Sequence, residues 1–229
     1  ELSGSLAHEL NQPLTAILSN AQAALRYMAH SPPNLEEVHE SLVNIVESDK
    51  RAGEVIRRLR VMLRKDPPEF QLLDPNDVVQ DVLRIIRSDL LNRGIETQLE
   101  LAPDLPVVRG DRVQLQQVVL NLIMNGSDAM AGNEGARVLT IRSRLLASDR
   151  VEVQISDVGK GIPEADLERI FSPFVTSKND GLGLGLAVCT TIVQTHGGRL
   201  WASNNPGPGA TLHLELPLHE DRVSRGGIA

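Results

Sequence analysis

The stretch Leu6-Ala7-His8-Glu9-Leu10-Asn11-Gln12-Pro13-Leu14 sets an imidazole beside a carboxylate on a segment with a helical apolar rhythm. Leu10, Leu14, Ile17, Ala21, Ala24 and Met28 step by three and four. At about 100° per residue His8 lies about 200° from Leu10, on the face opposite that stripe. A carboxylate that takes the proton from one ring nitrogen leaves the other with a free lone pair, so the ring can act as a nucleophile. Neighbours in sequence do not face each other on a helix, so Glu9 must reach sideways. Pro13 lacks an amide hydrogen and is expected to loosen the helix at the Glu9 carbonyl. By itself, a histidine on the outer face of an amphipathic helix is ordinary surface chemistry. A second set of residues, far along the chain, gives it a partner reaction.

That set begins with Asn121-Leu-Ile-Met-Asn125-Gly-Ser-Asp128-Ala129. Asn121 and Asn125 are four apart and share a helix face. Amide oxygens are hard, neutral ligands suited to a Mg2+ ion that already carries phosphate and water. Next is Asp157-Val158-Gly159-Lys160-Gly161-Ile162 at a strand end. Its carboxylate can accept from an exocyclic amine such as adenine N6, and its glycines let the backbone approach a flat ring. The run Gly181-Leu-Gly183-Leu184-Gly185-Leu186 opens a helix, and bare amides there make an anion site. It has no Lys-Ser/Thr and follows no buried strand, so neither a P-loop nor a dinucleotide fold is supported. Last comes Gly207-Pro-Gly209-Ala-Thr211, whose hydroxyl is available to the base end of a nucleotide.

These residues need elements to hold them. Residues 1–29 read as one helix, ended by His30-Ser31-Pro32-Pro33-Asn34. Leu35, Val38, Leu42, Ile45, Asp49, Ala52, Ile56, Leu59 and Leu63 then form a heptad seam faulted only by Asp49. Such a hairpin buries its stripes poorly alone and well as a four-helix bundle of two copies, so a homodimer is expected. The polar, proline-bearing stretch after Leu63 marks a domain boundary: 1–65 a helical domain, 66–73 a linker, 74–218 a second domain and 219–229 a tail. In the second domain helices are expected over 75–92, 111–130, 164–170 and 186–196. Strands are expected over 95–101, 107–108, 138–146, 151–157, 199–203 and 210–216. The fold class is therefore an antiparallel helical hairpin followed by an α+β sandwich with helices on one face of a mixed sheet.

Composition limits the partners. A net charge of −7 argues against nucleic acid. No apolar run reaches the ~20 residues of a spanning helix, so no membrane contact by these residues is expected. The single cysteine, Cys189, excludes an internal disulfide, fits a reducing, cytoplasmic setting and reads as a small buried hydrophobe. Trp201 reads as packing, and His196 and His213 carry no metal spacing. Glu1 opens inside a helical pattern without Met, so a longer parent, which could be membrane-attached, is expected.

Taken in order, these motifs resemble the boxes of the histidine protein kinases of two-component signalling. His8–Leu14 is similar to the H box, 121–129 to the N box and 157–162 to the first glycine box. Phe171-Ser-Pro-Phe174 is similar to the F box, and 181–186 to the second glycine box. The Leu10-Asn11-Gln12-Pro13-Leu14 run and the short lid over 175–180 look most like the subgroup often joined to PAS-type sensor domains.

The resemblance implies ATP bound in the second domain, with Asp157 on adenine, Asn125 on Mg2+ and Asn121 and Lys178 near the phosphates. It implies transfer of the γ-phosphoryl group to His8 with Glu9 as base, then to an aspartate of a response-regulator receiver domain. Gln12 stands where related kinases orient water for receiver dephosphorylation, so a phosphatase or scaffold form is one alternative. Another is a hydrolytic ATPase of the gyrase and chaperone superfamily. Those enzymes carry Glu where this chain has Asn121, and an amide cannot act as a base.

Overall fold

In a computed structural model the described residues are 2–63, 68–146, 149–176 and 183–219; side chains are described from Gln12, except at 50–51 and 54–63. The chain divides into two compact units, 1–65 and 66–229.

The first unit is a hairpin of α1 (Leu2–Met28) and α2 (Leu35–Leu63). Helix α1 runs through Pro13. Asn34 closes the turn: its carbonyl accepts from Val38 N–H at 3.1 Å and its own N–H donates to Tyr27 O at 3.2 Å. The seam between the helices matches the expected heptad only in part, at Ala52. Ser41, Ser48 and Ala52 of α2 and Ala24 of α1 are buried, whereas Leu35 and Leu42 are exposed. Small side chains let the helices approach closely, and the Ser48 hydroxyl folds back onto Asn44 O at 2.8 Å. The Asp49 fault disappears because Asp49 lies outside the seam and is exposed. The large apolar side chains are turned outward: Leu14, Leu18, Leu25 and Met28 on α1, and Leu42, Val43 and Val46 on α2.

The second unit is a sandwich. Its sheet has the order β2-β4-β5-β7-β6, where β2 is Glu96–Leu101, β4 Val138–Leu146, β5 Arg150–Asp157, β6 Arg199–Asn204 and β7 Ala210–Pro217. β2 and β4 are parallel and the remaining pairs antiparallel. The alternation along each strand puts Leu139, Ile141, Val153, Ile155, Leu212 and Leu214 on one face, all buried. Helices α3 (Pro75–Asn92), α4 (Arg112–Ala129) and α5 (Gly185–Thr195) cover that face. Asp74 caps α3 by accepting from Asn76 N–H at 2.8 Å, with Pro75 in the first turn.

The opposite face is polar but not bare. Glu152, 1% exposed, pairs with Arg144 and accepts from His213 Nδ1 at 2.8 Å; Trp201 stacks on His213 with centroids 4.8 Å apart. Trp201 and His213 are thus structural.

Two expectations change. Part of the expected linker is sheet, because β1 (Gln71–Leu73) pairs antiparallel with β3 (Val108–Gly110). The expected helix over 164–170 is two 3-10 turns, Glu164–Asp166 and Arg169–Phe171. The bonds here run from i to i−3: Asp166 N–H to Pro163 O, Leu167 N–H to Glu164 O and Ser172 N–H to Arg169 O.

Candidate nucleotide site

Helix α4 is the spine of the site. Asp111 caps it, its Oδ1 accepting from Gln114 N–H at 3.0 Å while Oδ2 accepts from Glu69 N–H at 3.0 Å. His196 sits behind that cap. Its Nε2 accepts from Asp111 N–H at 3.0 Å, and its Nδ1 donates to Ile192 O at 2.8 Å, which fixes a neutral tautomer and ties the end of α5 to the start of α4. Leu115, Val118, Leu122 and Ile123 face the sheet, buried, leaving Asn121 and Asn125 half-buried at the flank. Asn121 Nδ2 donates to Cys189 Sγ of α5 at 3.4 Å. Its Oδ1 is 3.9 Å from where a Cβ on Gly185 would stand. The first asparagine therefore lies against the opening turn of α5.

That turn has no side-chain cap: Leu184, at the N-cap, is buried and apolar. Among the described residues no side chain caps the first amides of α5, the kind of helix start that suits an anionic ligand. Gly183 precedes it at φ 62°, where a Cβ would meet the Phe174 and Val175 backbone at 2.6 Å. Gly183 O also accepts from Phe174 N–H at 3.1 Å, so the end of the Phe171–Phe174 stretch and the start of α5 are drawn together. Lys178 and Gly181 lie outside the described residues.

Asp157 closes the other end. It ends β5, is buried, and accepts at Oδ1 from Gly159 N–H at 2.8 Å and, more weakly, from Ala210 N–H at 3.4 Å. A Cβ on Gly126 would lie 3.5 Å from Asp157 Cβ, so the carboxylate sits under α4 one residue from Asn125. Lys160 N–H donates to Ala129 O at 3.4 Å and Asn133 Nδ2 to Val158 O at 2.9 Å, pinning the 157–162 loop to the end of α4. Ile162 is held by Asn204, whose side chain donates to its carbonyl at 2.6 Å and accepts from its amide at 2.8 Å.

The structure thus gathers Asn121, Asn125, Asp157, Gly159, Gly161, Ile162, Gly183, Leu184, Gly185 and Leu186 along α4 and its two flanking loops. Asp128 is turned to other work: it pairs with Arg93, at the end of α3, at 2.8 Å. Thr211 is on the far side of the sheet. It pairs in register with Ser156, the residue before Asp157, and its hydroxyl is within 2.7 Å of Ser156 Oγ and donates to Asn205 Oδ1 at 2.7 Å. One step along a strand changes face, so Ala210 is the β7 residue beside Asp157. Asn133, Asn204 and Asn205 were not anticipated; their place among turn residues concealed that their amides grip the loop.

His8 and Glu9 lie within α1, but their side chains are outside the described part; Gln12 is exposed.

Burial pushes the Asp157 carboxyl above the usual carboxylate range, and the Gly159 and Ala210 amides offset only part of that. The same burial pushes the Cys189 thiol up to about 12, so it stays protonated beside Asn121. With a raised folded pKa, the contribution of Asp157 to stability is present below its unfolded pKa and is lost as pH rises through the folded value. Acceptance from an amine is stronger in the opposite, ionised form, which has no competing O–H. Affinity for an adenine nucleotide is therefore expected to fall on acidification at a higher pH than an ordinary aspartate titrates. Calorimetric titration at stepwise lower pH checks this, with Asp157→Asn as the baseline that retains the nucleotide's own titration. An identical pH profile in the two chains refutes it.

Among the described residues no cluster of three or more His, Cys, Asp or Glu could hold a metal. A cation here would depend on amide oxygens, water and a ligand's own phosphates, which suits Mg2+ and not a tightly held transition metal. Among the described residues no helix is long and apolar enough to cross a membrane.

Known proteins share both units. A His Kinase A (phospho-acceptor) domain matches residues 1–68, and a histidine kinase-, DNA gyrase B- and HSP90-like ATPase matches residues 110–220. The sensor histidine kinase TmoS of Ectopseudomonas mendocina is 36% identical over 220 residues, covering 95% of this chain and 23% of that protein. The nucleotide-free catalytic domain of the histidine kinase ThkA is 30% identical, with a TM-score of 0.58 over 66% of this chain and 98% of that one. ThkA in complex with the response regulator protein TrrA is 25% identical, with a TM-score of 0.72 over 96% of this chain and 61% of that one. The chain spans under half the length of the curated relatives it matches. It belongs to the sensor histidine kinases of two-component signalling, joining a phospho-acceptor hairpin to an ATPase domain of the histidine kinase, gyrase B and HSP90 type.

Proposed function

We propose that this chain moves the γ-phosphoryl group of ATP to His8, and from there to an aspartate of a response-regulator receiver domain. The observation that carries this is the pairing, along one helix, of a buried carboxylate with a helix start that no described side chain caps. Asp157 lies under Gly126 and the opening turn of α5 lies against Asn121, so α4 spans the proposed base end and the proposed phosphate end of the site. Asn125, with Asn121 near the phosphates, is the residue to hold Mg2+, which when bound neutralises charge on the phosphates. The open α5 amides orient the triphosphate, and Glu9 takes the proton of the His8 ring so that the other nitrogen can attack. Such transfer depends on positioning and charge neutralisation more than on covalent help from the protein. Asn121 disfavours hydrolysis, since it cannot activate water as a base.

The division of labour follows: residues 1–65 for dimerisation and phosphoacceptance, 74–218 for catalysis with β1 added to that part, and 219–229 a tail. A homodimer is supported by the outward stripe of Leu14, Leu18, Leu25, Met28, Leu42, Val43 and Val46. Packing two such stripes as a four-helix bundle removes them from water. The receiver partner is supported by the ThkA complex with a response regulator. Drawing on cellular ATP, the proposed reaction belongs to the cytoplasm.

The test is incubation with Mg2+ and γ-labelled ATP, followed by acid and alkali treatment of the chain. Acid-labile, alkali-stable label supports a phosphohistidine. Free phosphate without protein label points to a hydrolytic ATPase instead, and ATP binding without turnover to a phosphatase or scaffold.

A further inference from the structure

We propose that Asn205 is a positioning residue for Asp157 and so sets the preference for a purine bearing an exocyclic amine; this rests on the nucleotide reading above. The Asn205 side chain is committed on both sides. Its Nδ2 donates to the Asp157 carbonyl at 2.8 Å and to Pro208 O at 3.2 Å, and its Oδ1 accepts from Thr211 Oγ1 at 2.7 Å. Its backbone N–H donates to Gly209 O at 3.1 Å. The Thr211 hydroxyl is itself within 2.7 Å of Ser156 Oγ. A chain of polar contacts thus runs from the outer face of the sheet, through Thr211 and Asn205, to the residue that presents the carboxylate.

Asp157 needs such a hold because the pairing of β5 with β7 stops at Ser156 and Thr211. Beyond that pair Asp157 is still paired with Leu139 of β4, but its β7 side has no strand partner, and Asn205 takes that place at the carbonyl. Gly159 N–H fixes the carboxylate end at 2.8 Å, and Asn205 fixes the carbonyl end. Asn204 grips Ile162 at the other end of the loop, so adjacent amides clamp both ends of 157–162. Selectivity between bases that differ by one hydrogen-bonding group is sensitive to such aim, because a misdirected buried polar group is left unpaired.

The test compares binding of ATP and ITP, whose base has a carbonyl where adenine has its amine. The chains are the intact protein, Asn205→Asp and Asp157→Asn, with urea unfolding of each. Asn205→Asp keeps the size and the acceptor for Thr211 but sets a carboxylate oxygen against the carbonyls of Asp157 and Pro208. The Kd for ATP is expected to rise roughly tenfold or more with little change for ITP, so the ATP:ITP ratio falls. A loop merely loosened would weaken both ligands alike, and a ratio held at the intact value overturns the proposal. Should Asn205→Asp not fold, Thr211→Val removes only the hydroxyl that orients Asn205, with an expected ratio drop of about threefold; an unchanged ratio there overturns the proposal equally. If Asp157→Asn collapses the ratio while the Asn205 and Thr211 variants keep it, only this proposal fails. If Asp157→Asn keeps it too, the nucleotide reading fails with it.

Discussion

A chain carrying His8→Ala is expected to take no acid-labile label from γ-labelled ATP while binding ATP as tightly as the intact protein. The separation is expected because the residues read as nucleotide-binding all lie in the second unit, between Asn121 and Thr211, whereas His8 lies in α1. Alanine is the strongest helix former, so the substitution removes the ring without costing α1 its backbone. Helix content by circular dichroism and ATP affinity by calorimetry should both be unchanged. Label should fall to background, since no other atom at that place can form the phosphoramidate. Glu9→Gln tests the assigned base: with ring and helix intact, a lost general base should slow labelling by about 10²- to 10⁴-fold. Undiminished label in His8→Ala would place the acceptor elsewhere. Equal rates in Glu9→Gln would leave His8 as acceptor and remove Glu9 from the chemistry.

Much of this site could be read from the chain because its largest parts are local. Asp111 and Asp74 cap helices that begin where their side chains dictate, and the alternation in 138–157 identifies a strand pair whose turn is short. What escaped is decided by partners distant in sequence. The parallel pairing of β2 with β4 depends on a crossover that no local pattern encodes. Thr211 was placed at the base by its motif, but strand parity puts it on the opposite face from Asp157. The hairpin seam is legible only in part: Ala52 is buried as the heptad expects, but Leu35 and Leu42 are exposed. Ser41 and Ser48, which periodicity of large apolar residues does not pick out, face inward instead. A step of three and four does not say which face of a helix meets its neighbour in the hairpin. The asparagines at 204 and 205 look like turn formers, and their second role exists only once β6 and β7 bring them to Asp157.

Gly209→Ala is expected to be the most damaging single-methyl change in the second unit. Gly209 has φ 92°, a region that side-chain-bearing residues rarely occupy and that costs them about 1–3 kcal/mol. Strain is the smaller part. A Cβ at this position would stand 2.0 Å from the Asp157 carbonyl oxygen, 2.6 Å from its carbon and 2.8 Å from Val158 Cα. None of these atoms belongs to a movable side chain, so relief requires the backbone of β5 to shift away from β7. That shift would stretch the Asn205 contact to the same carbonyl and the Ala210 contact to the carboxylate, and so disturb base recognition as well as stability. Urea unfolding should show a loss of about 3–5 kcal/mol. The surviving folded protein should bind ATP at least about a hundredfold more weakly, as a misplaced polar group at a buried recognition site commonly does. Gly207→Ala is the control within the same turn: nothing lies within 4 Å of its added Cβ. It should change stability by no more than about 0.5 kcal/mol and leave ATP affinity alone. Equal behaviour of the two variants would mean that the β6–β7 turn does not press on Asp157. Damage confined to Gly209→Ala would show that the base pocket is shaped by how closely that turn passes behind it.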